Sequence, residues 1–318
     1  MRTVSYKSAG TGHDRCEDST YVISDSSGVS AALADGMGSA KFAADGSKTV
    51  SEAAAGFFAQ YLDRVYGLTA GTIADGALEI VRRKLLKTAG SIGCDVAELS
   101  STLISLAFTH DGKGLLMHIG DGCVIGLRPN GTTEVISRYT HKGYVNQTDF
   151  VTTPSPEIKA IKLDRNSYCA YLLCSDGPEG FLIANDKPIG FVQRLLISSL
   201  FLSVEDIADT LTQCDRFFRE KGQHDDASYI IVVPENNSSE LIRNMPDELL
   251  KAIFTVGNDS RHALAQMVDK LLSSPDGASV KDLTGLSKRK KKLLDTLMRS
   301  GRVKSCNNKY YYGGFENE

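Results

Sequence analysis

Residues 29–38 read Val-Ser-Ala-Ala-Leu-Ala-Asp-Gly-Met-Gly. A short apolar run closed by Asp-Gly fits a buried strand that delivers a carboxylate where it emerges. The arrangement recurs, with 115–120 running into Asp121-Gly122 and 171–175 into Asp176-Gly177. In the opposite sense, Glu17-Asp18 stands just before 21–24 and Asp225-Asp226 just before 228–233. The other four Asp-Gly pairs, at Asp45, Asp75, Asp111 and Asp276, read as ordinary turns, because both residues tolerate positive φ. If the five acidic strand ends converge they repel one another, and cations must hold them together. An all-oxygen set without Cys or His suits Mg²⁺ or Mn²⁺. Two such ions about 4 Å apart clamp a phosphate in the general two-metal scheme of hydrolysis.

Working outward, strand-like runs occur at 29–34, 102–108, 115–119, 124–127, 168–174 and 228–233. The segment 109–114 between two of them, Thr-His-Asp-Gly-Lys-Gly, is a hairpin signal and implies antiparallel pairing. Two long helices are expected. One carries Val50, Ala54, Phe57, Phe58, Tyr61 and Leu62 on a single face. The other starts at the N-cap Ser203, with Ile207, Leu211, Cys214, Phe217 and Phe218 facing inward. Hairpins with separate helices predict an α+β layered domain.

The 318 residues, 42% hydrophobic and 24% charged with net charge −3, exclude collagen-like, disordered and supercharged classes. Seven scattered cysteines without CxxC pairs fit reduced thiols, hence a cytoplasmic protein. No apolar run approaches a membrane span, and the N-terminus turns polar at once, unlike a secretory signal. Residues 284–318 carry nine Lys or Arg against three Asp or Glu, a balance of +6, which leaves −9 for the first 283. The polar stretch around Pro234–Ser239 reads as a linker. The expected division is a catalytic domain at 1–234, a linker at 235–245 and a small basic module at 246–318.

The ordered blocks Cys16-Glu17-Asp18, Ala34-Asp35-Gly36-Met37-Gly38, Ser100-Ser101-Thr102-Leu103, Ile119-Gly120-Asp121, Cys174-Ser175-Asp176-Gly177 and His224-Asp225-Asp226-Ala227-Ser228 resemble the metal-dependent, type-2C protein phosphatases. The resemblance spans residues 1–233. It implies a four-layer sandwich of two antiparallel sheets flanked by helices, and two Mg²⁺ or Mn²⁺ ions at one end. It implies hydrolysis of phosphoserine and phosphothreonine on protein substrates of a serine/threonine kinase, by direct attack of water. Carried over residue by residue, Asp35 bridges both ions and the Gly36 carbonyl binds one. Asp176 and Asp225 bind the other, and Asp18 reaches the cluster with Glu17 beside it. Glu98 falls where bacterial members carry an Asp for a third, looser ion. Asp121 is expected to orient the site.

Three departures from the family pattern stand out. His13 occupies the position of an Arg that holds the substrate phosphate, which loses a planar bidentate fork; Arg15 and Lys41 are nearby alternatives. Met37 replaces a histidine of the animal enzymes and points to a bacterial-type member. Gly38-Ser39 and Asp226 replace the more usual Gly-Gly and Asn. His118, inside a strand, is expected to be a core residue, and His224 is a candidate for proton transfer next to Asp225. No cysteine has the basic cradle of a thiolate nucleophile.

The C-terminal segment has an amphipathic face at Ala263, Leu264, Met267, Val268, Leu271 and Leu272. A second helix is expected over 288–300, followed by a hairpin turn at Asn307-Asn308. Helices followed by a short hairpin resemble a winged-helix module, which could recruit a protein or an anionic partner. Its charge would also allow electrostatic docking on the acidic domain, and its removal is expected to leave an active enzyme. Two other functions remain open: a type-2C-like sensing module of weak activity, and a regulator whose basic tail binds nucleic acid.

Overall fold

The computed structural model describes residues 1–11, 15–139, 148–235, 237–285 and 287–313. Strands β1 (Arg2–Ser8), β2 (Ser19–Asp25) and β3 (Gly28–Ala34) precede two helices, α1 (Ala43–Val65) and α2 (Ala70–Ile92). A 3-10 turn at Val96–Leu99 leads into β4 (Leu103–Thr109), β5 (Lys113–Ile119), β6 (Cys123–Leu127), β7 (Thr133–Arg138), β8 (Lys159–Asp164) and β9 (Ala170–Cys174). Then come α3 (Asp176–Leu182), the short strands β10 (Ile183–Ala184) and β11 (Lys187–Pro188), α4 (Gly190–Ser199), α5 (Val204–Glu220) and β12 (Ala227–Val233). The C-terminal part holds α6 (Ser238–Asn244), α7 (Asp247–Phe254), α8 (Asn258–Leu272), β13 (Ala278–Ser279), α9 (Val280–Thr284), α10 (Lys288–Arg299), β14 (Val303–Cys306) and β15 (Lys309–Tyr312). No helix among the described residues is long and apolar enough to cross a membrane.

Two five-stranded sheets, β1-β12-β9-β6-β7 and β2-β3-β4-β5-β8, form the centre, and every pairing within them is antiparallel. The α+β sandwich expected from the sequence is the fold observed. Along β3, Val29, Ala31 and Leu33 enter the core between the sheets, whereas Ala32 and Ala34 face the side covered by α1 and α2. Along β12, Ile230 and Val232 point between the sheets, and Tyr229, Ile231 and Val233 point toward the opposite outer layer. Both faces of these strands are covered, so they read as continuous apolar runs instead of alternating ones.

In α1, Val50, Ala54, Phe58 and Leu62 are buried as expected, but Tyr61 is exposed. In α5, the Ser203 hydroxyl accepts the Asp206 N–H at 3.2 Å, the expected cap, while Phe217 lies outside and Phe218 inside. Helix α2 corrects the turn expected at Asp75-Gly76, since that pair sits within the helix. Ile73, Ala77, Val81 and Leu85 line up at helical spacing against α1, and their burial overrides the local Asp-Gly preference. Asp45-Gly46 likewise lies in the first turn of α1, where a Cβ on Gly46 would run into the Leu99 carbonyl.

The stretch expected as a linker is mostly helix α6, with Leu241 and Ile242 fully buried. These two residues, Met245, Phe254, Leu293, Leu297 and Tyr312 belong to one hydrophobic cluster with Leu196, Phe201 and Leu211 of the α4–α5 layer. The Phe201 ring meets Phe254 at 5.1 Å and Tyr312 at 5.9 Å between centroids, and the Tyr312 hydroxyl reaches the Leu200 carbonyl and the Ser238 hydroxyl. A chain cut at residue 239 leaves this apolar surface open. It should be insoluble or melt well below the full chain, contrary to the expectation from sequence; a soluble 1–239 fragment melting at the full-chain temperature would show independent folding. Phe201→Ala should cost the full chain about 3–5 kcal/mol in denaturant unfolding.

Candidate active site

Antiparallel pairing sets the ends of β2, β3, β9 and β12 at one edge of the sandwich. Ser19 pairs with Ala34, so the residues just outside them, Asp18 and Asp35, are neighbours. Tyr229 pairs with Cys174, and the link continues as the Ser175 N–H donates to the Ser228 carbonyl at 3.1 Å, which brings Asp176 beside Asp225 and Asp226. A cavity of about 610 Å³ opens there, lined by Glu17, Asp35, Gly36, Asp121, Asp176, Asp225 and Asp226, with Met37, Gly38, Ser39, Thr102, Thr148 and Phe150.

The Ser100–Thr102 block earns its place through the backbone. The Asp35 N–H donates to the Thr102 hydroxyl at 3.0 Å, the Thr102 N–H to the Asp35 carbonyl at 2.8 Å, and the Met37 N–H to the Ser100 carbonyl at 2.9 Å. Gly36 bridges to Ser101, and a Cβ on it would come within 2.8 Å of the Ala43 carbonyl. Asp226 is a clamp: its carboxylate accepts the Gly10 N–H at 2.6 Å and also the Glu17 N–H. Neither the clamp nor the Thr148 hydroxyl that donates to Asp121 at 2.6 Å was expected, because each contact joins segments far apart in sequence.

Asp18 lies beneath the cavity floor, 1% exposed, whereas its neighbour Glu17 lines the cavity itself. Neither Asp18 carboxylate oxygen makes a hydrogen bond of ordinary geometry. Burial holds its carboxyl up to about 7, partly opposed by the nearby Ser228, Ser175 and Asp35 side chains. Burial and the adjacent Asp18 and Asp176 also raise Asp35 well above the usual carboxylate range. Asp176 opens to the cavity, yet the surrounding protein, with Asp121 and Asp225, raises it to about 6.

Glu98 does not line the cavity; its carboxylate accepts the Lys41 N–H at 2.7 Å and braces that loop. Arg15 pairs with Asp45 at 3.4 Å and Lys41 lies over the Phe42 ring, so neither alternative phosphate holder lines the cavity. His13 lies outside the described residues. His224 is exposed and does not line the cavity, although it adjoins Asp225, which does. His118 is buried as expected: Nε2 donates to the Asp121 carbonyl at 3.1 Å, Nδ1 accepts from Ser137 at 2.7 Å, and burial pushes the ring down to about 4. It is a neutral brace for the Asp121 turn.

Among the described residues no three His, Cys, Asp or Glu side chains form a ready-made group able to hold a metal ion. The donor chemistry nonetheless fits hard cations. Oxygen ligands converge on one cavity, and Asp18 offers two buried oxygens that no donor satisfies.

The buried carboxylate sets a pH dependence for the metal-free protein. Its folded value, about 7, lies above the ordinary 3.8, so the folded state binds the extra proton. The associated stability is present below about pH 4 and is lost as pH rises through about 7. In chelator, thermal melts at pH 5.5 should therefore exceed those at pH 8. Asp18→Asn should raise the melting temperature at pH 8 and flatten the difference. Equal melting temperatures at the two pH values in the unmodified chain would contradict this account of the site.

The sequence model of the family described as Protein phosphatase 2C matches residues 8–214. No curated protein matches the chain. Among solved structures, a bacterial serine phosphatase is 19% identical with a TM-score of 0.56, covering 74% of this chain and 98% of its own. The serine/threonine phosphatase Stp1 from Staphylococcus aureus is 18% identical with a TM-score of 0.52, covering 73% and 94%. PppA, a key regulatory component of T6SS in Pseudomonas aeruginosa, is 21% identical with a TM-score of 0.51, covering 72% and 96%. At these identities the neighbours speak for the fold, and the family match extends over most of the chain. The chain belongs to the protein phosphatase 2C family.

Proposed function

We propose that this chain is a metal-dependent phosphatase that removes phosphate from phosphoserine and phosphothreonine in proteins phosphorylated by a serine/threonine kinase. One observation carries the metal requirement. Six carboxylates line the cavity, and no Lys, Arg or His is among its described lining residues. A phosphate dianion entering such a field meets only like charge unless cations neutralise the walls.

In this reading Asp35, Asp176, Asp225 and the Gly36 carbonyl would hold Mg²⁺ or Mn²⁺, with the buried Asp18 carboxylate adding to the oxygen set. When bound, such ions neutralise the phosphoryl oxygens and lower the pKa of water. The chain's own part is positional. Thr102 fixes the Asp35 backbone, Asp226 ties the Gly10–Glu17 segment to the start of β12, and His118 with Thr148 orients Asp121. A site held in place by such contacts needs little rearrangement as charge develops in the transition state. A phosphocysteine route has no support: no cysteine lines the cavity among the described residues, and burial pushes the Cys16 thiol up to about 12.

The decisive assay is hydrolysis of p-nitrophenyl phosphate and of a phosphothreonine peptide, with Mn²⁺ or Mg²⁺ and with chelator. Activity should require the metal and vanish with chelator; full activity in metal-free protein would overturn the mechanism. Asp35→Asn, Asp176→Asn and Asp225→Asn should each lower kcat by on the order of 10²-fold or more with the fold retained. His13→Ala should mainly raise KM, since it removes binding shared by ground and transition states.

A further inference from the structure

Helices α8, α9 and α10 with the sheet β13-β15-β14 build a helix–helix–hairpin unit in which α10 has two unlike sides. At 100° per residue, Lys288, Lys291, Lys292, Asp295 and Arg299 share one side, and all five are exposed in the full chain. Leu293, Leu294 and Leu297 occupy the other and are buried. Arg289 is turned back onto α8, where it bonds the Ser260 hydroxyl at 2.9 Å and pairs with Asp259. Among the described residues, Lys288, Lys291 and Lys292 pair with no carboxylate.

This arrangement works against the helix itself. Five successive cations occupy the first turns, where the helix dipole favours anions, and lysines three and four apart repel. The Ser287 cap adds little, since its hydroxyl accepts the Lys290 N–H only at 3.4 Å. An external array of anions on this face would relieve the unfavourable field. The hairpin that follows carries exposed Lys304, Asn307, Asn308 and Lys309, with Asn307 and Asn308 at positive φ in its turn.

The surroundings select the polyanion. A membrane surface needs an apolar face to insert, and no large hydrophobic side chain among the described residues of 258–313 is exposed. Single-stranded nucleic acid needs exposed aromatic platforms, whereas Tyr310 and Tyr311 are half-buried and Tyr312 is buried. The deep, narrow major groove of double-stranded RNA does not admit a helix, but the B-DNA major groove, about 12 Å wide, does. We propose that α10 and the β14–β15 hairpin form a binding surface for duplex DNA, with Lys288, Lys291, Lys292 and Arg299 set against its phosphates. Contacts to phosphates position a duplex without reading its bases, so the binding is tolerant of sequence. It is separate from the phosphatase site and does not depend on that activity.

The test is fluorescence anisotropy of a labelled duplex DNA of about 20 bp with the full-length chain. Four neutralised phosphates give a salt slope of about −3.6, so affinity should fall about 10²-fold between 50 and 200 mM salt. The triple variant Lys288→Glu, Lys291→Glu, Lys292→Glu should bind at least about 30-fold more weakly at 50 mM, with p-nitrophenyl phosphate hydrolysis unchanged and the melting temperature equal or higher, since acidic side chains suit the first turns of α10. A control reversal on α2, Lys84→Glu with Lys87→Glu, should leave affinity within about threefold, since those exposed lysines lie outside the surface. Where charge reversal lowers the melting temperature, the Gln substitutions at the same three positions replace it. Undetectable duplex binding at 50 mM, a triple variant that binds like the unmodified chain, or tighter binding of single-stranded RNA, polyglutamate or anionic lipid vesicles than of duplex DNA would each overturn the proposal.

Discussion

Burial of like-charged carboxylates at one end of two antiparallel sheets is the constraint on which the rest of the structure depends. Asp18 keeps both oxygens away from water and without a hydrogen bond of ordinary geometry, and Asp35 stands one residue beyond the strand pair that fixes them side by side. No local preference would assemble such a group. It exists because Val29, Ala31 and Leu33 must face Ile230 and Val232 across the dry interior, and that burial locks the register. A slip of one residue would put the small Ala32 and Ala34 where Val29, Ala31 and Leu33 pack between the sheets, and would move Asp35 off the cavity. The sandwich core thus supplies the stability that the acidic edge consumes.

A frame of backbone hydrogen bonds keeps the charges apart from the fold's own needs. The Asp35–Met37 segment is zipped to Ser100–Thr102, and the turn at Asp121 rests on a neutral histidine. At position 226 the family more usually has Asn. Here a carboxylate takes the same place and accepts two backbone N–H groups, charge-assisted bonds stronger than an amide oxygen would make. The departure therefore reads as a local reinforcement of the clamp that holds the Gly10 and Glu17 backbone to the start of β12.

Much of this was legible in the residues. The strand-end acids, the Ser203 cap and the β4–β5 hairpin all depend on short-range chemistry, and the structure places them as the spacing suggests. What stayed hidden depends on distant partners. Helix α2 was obscured by Gly71, Gly76 and Gly90, which weaken a helix in isolation and are tolerated only because Val81 and Leu85 bury against α1. Local sequence does not reveal which of the adjacent Glu17 and Asp18 side chains faces the cavity and which lies under it. The clamp by Asp226 joins residues more than two hundred positions apart, and no periodicity encodes it.

The C-terminal unit shows the same dependence on partners most clearly. Its +6 balance against an acidic remainder invites a picture of electrostatic docking, but the contacts that hold it are uncharged and mainly apolar: Phe254 and Tyr312 around Phe201, with Leu241 and Ile242 in the same cluster. Apolar attachment is insensitive to ionic strength, so the tail's charge is not used in holding the two parts together. Lys288, Lys291 and Lys292 of α10 instead point away from the shared cluster into solvent, on the side opposite its leucines. A charge left unpaired at an unfavourable helix end, on a unit already anchored by its core, is free to act on something outside the chain.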